Sequence, residues 1–196
     1  KETMNEELSK IIDGLSKTAD ASVRLTEQLL SMTKAEHGYE IDLSKEVDLV
    51  ELSKQLVIDN YANAQKLGID LGVDIQVPHL KIWGSEVLLT ECINNLIDNA
   101  IRYCPRGSQV TIKVDQESLS VMDDGPGIPS QYQVKVFNRF FRGDNKEPGS
   151  GLGLSIVREI ALQHRLKVNL ESPYLLSQNN YQSGTKISLA LTKLTE

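Results

Sequence analysis

EPGSGLGLSIVREI, residues 147–160, sets three glycines within five positions and then turns directly into an apolar-patterned run. Glycine costs conformational entropy and offers nothing to pack, so this density marks a place where another group comes close or the backbone takes an unusual turn. Two readings fit. One is a flexible loop ending at a helix; the other is a phosphate site, because a helix N-terminus presents free N–H groups and the positive end of the helix dipole. No Lys-Ser/Thr pair follows the glycines, which excludes a P-loop. Gly149, Gly151 and Gly153 are evenly spaced with no clear strand leading in, which does not fit a dinucleotide fingerprint. The choice between the readings depends on the rest of the chain.

A length of 196 residues suits one ordinary domain plus a smaller element. The apolar fraction, 40%, suffices for a core, and no apolar run approaches the roughly 18 residues of a membrane-spanning helix. Net charge is −6 without a basic block, which argues against a nucleic-acid partner. Cys92 and Cys104 fit no metal-ligand spacing; Cys92 is expected to pack as a small apolar residue, and a reducing compartment suits both thiols. No signal peptide opens the chain and the first residue is not Met, so a fragment of a longer protein is expected.

Apolar residues from Leu8 to Thr33 fall mostly at three- and four-residue steps and predict one long helix over residues 1–36, stopped near Gly38. A stripe of that length requires a partner helix. From residue 39 the texture changes. Asp48 to Glu51 has the form of a capping box, opening a helix that Gly68 ends. Strands are predicted over 69–77, 80–82, 109–115, 118–123, 166–172 and 185–191, with helices over 85–103, 131–136 and 151–164. The expected architecture is an α+β sandwich, a sheet covered by helices on one face.

Three further stretches carry chemistry. In ECINNLIDNAIRY, residues 91–103, Asn95 and Asn99 are one helical turn apart and Arg102 follows on the same face. Asparagine is a poor interior helix residue; the readings are a solvated face, or oxygen ligands for Mg²⁺ beside a cation for phosphate. In VMDDGPGIP, residues 121–129, Asp123 ends an apolar strand ahead of Gly125 and Gly127. It is either an ordinary turn residue or a carboxylate at a pocket floor, accepting a hydrogen bond from a ligand amino group. In VFNRFFRGDNKEPGS, residues 136–150, Phe137, Phe140 and Phe141 alternate with Arg139 and Arg142, giving a small apolar cluster or a lid that carries arginines towards phosphate.

The order Asn-x-x-x-Asn-Ala, Asp-x-Gly-x-Gly-Ile, Phe-x-Arg-Phe-Phe-Arg, Gly-x-Gly-Leu-Gly-Leu closely resembles the N, G1, F and G2 boxes of bacterial two-component sensor histidine kinases, and Gly184-Thr185 resembles their last glycine box. NLIDNAIRY and FFRG with GSGLGLSIV are nearest in texture to the QseC/PmrB-like kinases. VRLTEQLLSMTKAE is similar to the second dimerisation helix of that family, which implies a partial dimerisation hairpin over 1–38 and a catalytic ATP-binding domain over 39–196. The resemblance implies the Bergerat fold shared with gyrase, Hsp90 and MutL, with ATP and Mg²⁺ as ligands.

It also implies roles. Asp123 would hold the adenine amino group, with Gly125, Gly127 and Ile128 around it, Tyr103 lining the pocket and Thr185 beside it. Asn99, assisted by Asn95, would bind Mg²⁺, and Arg102, Arg139 and Arg142 would meet the phosphates. Gly149, Ser150, Gly151, Leu152, Gly153 and Leu154 would bring backbone N–H groups to them. ATP-hydrolysing relatives carry a glutamate base where this chain has Asn95, so ATP would be held without ready hydrolysis. The family's acceptor histidine sits in a His-Glu-Leu-x-Ser/Thr-Pro-like box; His37, His79 and His164 lack those neighbours and are expected to be surface or capping residues. The implied whole is the cytosolic part of an inner-membrane-anchored homodimeric kinase with a response-regulator receiver domain as partner. A nucleotide-binding scaffold without transfer activity and a gyrase- or Hsp90-type ATPase are the alternatives.

Overall fold

The computed structural model describes residues 43–143, 150–174 and 184–192, all within the second of two compact units, residues 39–196, into which the chain divides. The helix expected over residues 1–36, His37, Gly149 and most of the expected lid lie outside the described residues.

Asp48 organises the entry to this unit. It ends β1 (Glu46–Asp48) and caps α1 (Leu49–Leu67), its Oδ1 accepting from the N–H of Val50 at 3.0 Å and of Leu80 at 3.2 Å. Its Oδ2 meets Nδ1 of His79 at 2.6 Å. Burial pushes the Asp48 carboxyl up, but the bonds from His79, Leu80 and Val50 outweigh it and hold the group below the usual carboxylate range. The expected capping box is half formed: Glu51 pairs with Lys54 at 2.8 Å instead of reaching back. Gly68 closes α1, its N–H reaching the carbonyls of Ala64 and Gln65. β1 pairs antiparallel with β3 (Lys81–Trp83); three residues are too few to show a period-two pattern, so β1 escapes sequence reading.

The main sheet runs β2 (Asp70–Ile75), β4 (Gln109–Val114), β5 (Ser118–Asp123), β7 (Gly184–Leu191), β6 (Leu166–Tyr174), with only β2 and β4 parallel. Its register separates the two faces. Ile112, Val121, Ile187 and Leu170 form one cross-strand row, and Val114, Leu119, Leu189 and Val168 the next. The intervening rows, Thr111–Met122–Lys186–Glu171 and Lys113–Ser120–Ser188–Asn169, are mostly polar, with Ser120 donating to Ser188 at 2.9 Å and Lys186 paired with Glu171 at 2.8 Å. Only the first face can bury a core, and the helices cover it.

α2 (Glu86–Tyr103) turns Leu89, Cys92, Ile93, Leu96, Ile97, Ala100 and Ile101 inward at three- and four-residue steps. α4 (Gly153–Gln163) packs Ile156, Val157, Ile160 and Ala161 against it, and the Cys92 thiol donates to the Val157 carbonyl at 3.8 Å. Each fully buried Leu or Ile contributes about 1.5–3 kcal/mol. Cys92 is an apolar packing residue as expected, and both cysteines are free thiols.

His164 departs from expectation. It ends α4, but its ring is 7% exposed and spans two elements: Nε2 accepts from the Ser85 N–H at 3.0 Å, at the start of α2, and Nδ1 donates to the Ile160 carbonyl at 2.8 Å. Gly84 makes room, since a Cβ there would stand 2.4 Å from Cδ2 of the ring. His164 is a buried strut. The predicted helix starts and strand ends otherwise shift by a few residues: α3 covers Ser130–Gln133, and α4 begins at Gly153.

Candidate functional site

One row of the sheet breaks the apolar pattern. Leu71, Val110, Asp123 and Thr185 are cross-strand neighbours on the helix-covered face, so a carboxylate stands where the rows above hold Val and Ile. Oδ1 of Asp123 accepts from the Gly125 N–H at 3.0 Å. Burial drives the Asp123 carboxyl upward; hydrogen bonds from the Gly125 N–H, the Cys104 thiol and the Thr185 backbone oppose this without cancelling it. Gly125 has no room for a side chain: a Cβ would lie 2.7 Å from Sγ of Cys104 and 2.9 Å from Oδ1 of Asp123.

α2 forms the adjoining wall. Asn95 and Asn99 are half-buried one turn apart, Arg102 is exposed, and Tyr103 at the helix end is 37% exposed. Asn95 donates from Nδ2 to the Glu91 carbonyl at 2.9 Å, which fixes the amide and directs Oδ1 towards the start of α4. A Cβ on Gly153 would sit 3.0 Å from that oxygen. The asparagine face and the glycine-rich segment are therefore in contact.

The start of α4 has no side-chain cap and no acidic residue in its first turn. Its dipole end is thus available to an anion. Leu152 is fully buried and anchors the segment; its carbonyl accepts from the Ile156 N–H at 3.0 Å and the Ser155 hydroxyl at 2.7 Å, and its N–H donates to Ser150 Oγ at 3.3 Å. Leu154 is buried beside it.

The loop after β5 is tied down at Ile128, whose N–H donates to Ser172 Oγ at 2.7 Å, while the Gln133 amide donates to the carbonyls of Ile128 and Ser172 at 2.9 and 2.6 Å. Gly127 enters this turn at φ 74°. The three phenylalanines do not form a closed cluster. Phe141 tilts against Tyr132, with centroids 5.6 Å apart, Phe137 is half-buried, and Phe140 is 65% exposed. Arg139 and Arg142 are exposed on this segment. Its backbone abuts the glycine-rich turn: a Cβ on Gly151 would lie 2.8 Å from the Phe140 carbonyl carbon and 2.8 Å from the Phe141 oxygen.

The structure thus joins Asn95 to Gly153, Gly151 to the Phe140–Phe141 segment, and Asp123 to Gly125 and Thr185. A groove lined by Tyr61, Gln65, Gly68, Ile69 and Asp70 shares no residue with this constellation. Among the described residues no cluster of three His, Cys, Asp or Glu side chains could hold a metal. The side-chain oxygen near the α4 N-terminus, Asn95 Oδ1, comes instead from a neutral amide, with Asn99 one turn on along α2. That donor set fits Mg²⁺, which takes few protein ligands and completes its shell with water and phosphate oxygen. Sequence reading missed Cys104, which reaches Asp123 only because the end of α2 folds over Gly125, and the struts Gln133 and Ser172, which carry no pattern of their own.

Comparison with known proteins agrees. Residues 84–195 match the family described as histidine kinase-, DNA gyrase B- and HSP90-like ATPases. The chain is 35% identical over 161 residues to the sensor protein QseC of Salmonella typhi, covering 82% of this chain and 36% of that protein. It is 30% identical over 173 residues to the sensor histidine kinase YkoH of Bacillus subtilis (strain 168), covering 85% and 37%. The chain therefore spans little more than a third of the curated relatives it matches. Among solved structures, the mycobacterial sensor histidine kinase MprB aligns at a TM-score of 0.65 and 29% identity, over 75% of this chain and 97% of that one. The cytoplasmic segment of histidine kinase QseC aligns at 0.60 and 27%, over 88% and 93%. With the mixed sheet, the asparagine helix and the glycine-rich helix start in place, this chain belongs to the histidine kinase-, DNA gyrase B- and HSP90-like ATPase family, on its sensor histidine kinase branch.

Proposed function

We propose that this unit binds ATP with Mg²⁺ and directs transfer of the γ-phosphoryl group to a histidine on another segment, for onward transfer to an aspartate of a response-regulator receiver domain. The observation that carries the reading is Asp123, a carboxylate held in the core-facing row beside Thr185 and raised by burial. A half-buried acceptor fixed by the Gly125 N–H suits the exocyclic amino group of adenine. Asn99 and Asn95 offer amide oxygens to the metal, and Arg102 stands on the same helix face for phosphate. Gly151 and Gly153 let the uncapped start of α4 approach it, with Arg139 and Arg142 on the segment touching Gly151. Bound Mg²⁺ supplies charge neutralisation at the phosphate oxygens.

Asn95 stands where a hydrolase of the wider family has its base. An amide cannot take a proton from water near neutral pH, so hydrolysis is disfavoured and an incoming imidazole is the better nucleophile. Neither described histidine suits that part: His79 is bound to Asp48 and His164 is buried between Ile160 and Ser85. The resemblance to sensor kinases supplies the acceptor from the first dimerisation helix of the intact kinase, with residues 1–38 as the second, and membrane anchoring from the parent protein. Among the described residues no helix is long and apolar enough to cross a membrane.

The test is transfer in trans. Labelled ATP and this chain, mixed with a fragment supplying the first dimerisation helix, should place acid-labile, base-stable label on that fragment. Transfer should require Mg²⁺ and vanish with Asn99→Ala. Rapid phosphate release without transfer would favour a gyrase-type ATPase, and nucleotide binding with neither outcome would favour a scaffold.

A further inference from the structure

β2 is an outer strand of the main sheet, and among the described residues it pairs with β4 alone. The N–H groups of Asp70 and Gln76 donate to the carbonyls of Ser108 and Val114, both at 2.9 Å. A parallel ladder repeats every two residues, so Gly72 and Asp74 also turn their N–H groups to β4. The N–H and C=O groups of Val73 and Ile75 then face the outer edge, where Val73 is 40% exposed. Beside that edge, α1 presents Ile58, Tyr61 and Gln65 on one exposed face, at three- and four-residue steps. Tyr61 and Gln65 meet Gly68, Ile69 and Asp70 in a groove of about 350 Å³. The Gln65 amide donates to the Tyr61 hydroxyl at 2.7 Å and so holds that wall in place. We propose that the β2 edge and this groove dock an extended peptide of alternating basic and apolar residues, added to the sheet as a further strand. The site is independent of the nucleotide reading.

Register dictates the alternation. Leu71, Val73 and Ile75 neighbour Val110, Ile112 and Val114 on the helix-covered face, while Asp70, Gly72 and Asp74 neighbour Gln109, Thr111 and Lys113 on the other. Successive side chains of an added strand fall on those two faces in turn. One set lies over Val73 towards the α1 wall. The other set lies beside Asp70 and Asp74, both exposed carboxylates. Between them Gly72 leaves open space, with nothing within 4 Å of a would-be Cβ, which accommodates long basic side chains.

Charge also chooses between occupants. Two copies of this chain pairing through β2 would set the Asp70 and Asp74 carboxylates of both copies on one face, side by side, and like charges across a strand pair are destabilising. A lysine- or arginine-bearing strand meets the same two groups with opposite charge.

The test titrates the full chain at low salt with two blocked octapeptides, one alternating Lys and Val and the other Glu and Val. NMR shifts and amide exchange are the readouts. The Lys–Val peptide should slow exchange at the Val73 and Ile75 amides and shift Tyr61, and the Glu–Val peptide should do neither. Asp70→Asn and Asp74→Asn should each weaken binding about 1.5- to fivefold, a loss that shrinks as salt rises. N-methylation of alternate peptide amides keeps the charge and removes the strand donors, so it should abolish the protection. Absent protection at millimolar peptide, equal binding of the Glu–Val peptide, or undiminished binding of the N-methylated peptide would overturn the proposal. Concentration-dependent dimerisation of the chain alone, protecting the same two amides, would also overturn it and give the edge to a second copy.

Discussion

Gly151→Ala is a sharp perturbation of the junction between the glycine-rich turn and the Phe140–Phe141 segment. Gly151 has φ +70°, and a Cβ would stand within 2.8–2.9 Å of three backbone atoms of Phe140 and Phe141. Two costs add. Placing an L side chain in the left-handed region costs about 1–2 kcal/mol. Forcing a methyl group against backbone that no rotamer change can clear costs about 1–3 kcal/mol more. Gly107→Ala isolates the first cost, because Gly107 has φ +92° and nothing within 4 Å of its would-be Cβ. Urea unfolding of both variants should therefore show Gly151→Ala less stable than Gly107→Ala by about 1–3 kcal/mol. Should the turn yield locally, the deficit appears as lost nucleotide affinity, about 5- to 150-fold. Gly151→Ala matching Gly107→Ala in both stability and affinity would refute the contact.

Other expectations follow from the same geometry. Burial lowers His164 below an ordinary histidine, so the unfolded chain takes the proton first, and stability should fall as pH drops below about 6.5. Unfolding curves at several pH values should lose that slope in His164→Gln, whose amide oxygen can still accept from Ser85; an identical slope would remove His164 as its source. Asp48→Ala should cost about 1 kcal/mol through loss of the α1 cap. Because Asp48 titrates low when folded, its contribution is present above the ordinary carboxylate pKa and fades as pH falls through its own; an acid-unfolding comparison with wild type reads this directly. Gly153→Ala crowds Asn95 Oδ1 and should weaken Mg²⁺-dependent nucleotide binding while the melting temperature holds, which calorimetry and a thermal melt together report.

Much of this was legible in the sequence because the informative features are local. The Asn95–Asn99–Arg102 spacing, the terminal position of Asp123 on an apolar strand, and the run through Gly151 and Gly153 each announce chemistry within one element, and their order carries the family. What was not legible depends on register and docking. The Leu71–Val110–Asp123–Thr185 row requires knowing that β4 lies between β2 and β5, and that β7 comes before β6. His164 reads as a helix-end residue until the start of α2 meets its ring across Gly84. Cys104 is a lone cysteine until the turn at Gly125 brings Asp123 against it.

The central claim is that Asp123 forms the floor of an adenine nucleotide site, and calorimetric titration of Mg·ATP into wild type and Asp123→Asn tests it most directly. Wild type should bind, and the variant, folded with an unchanged melting profile, should lose about tenfold to a hundredfold in affinity, the range expected for a hydrogen bond to a charged group. Equal affinity in the two proteins would contradict the account.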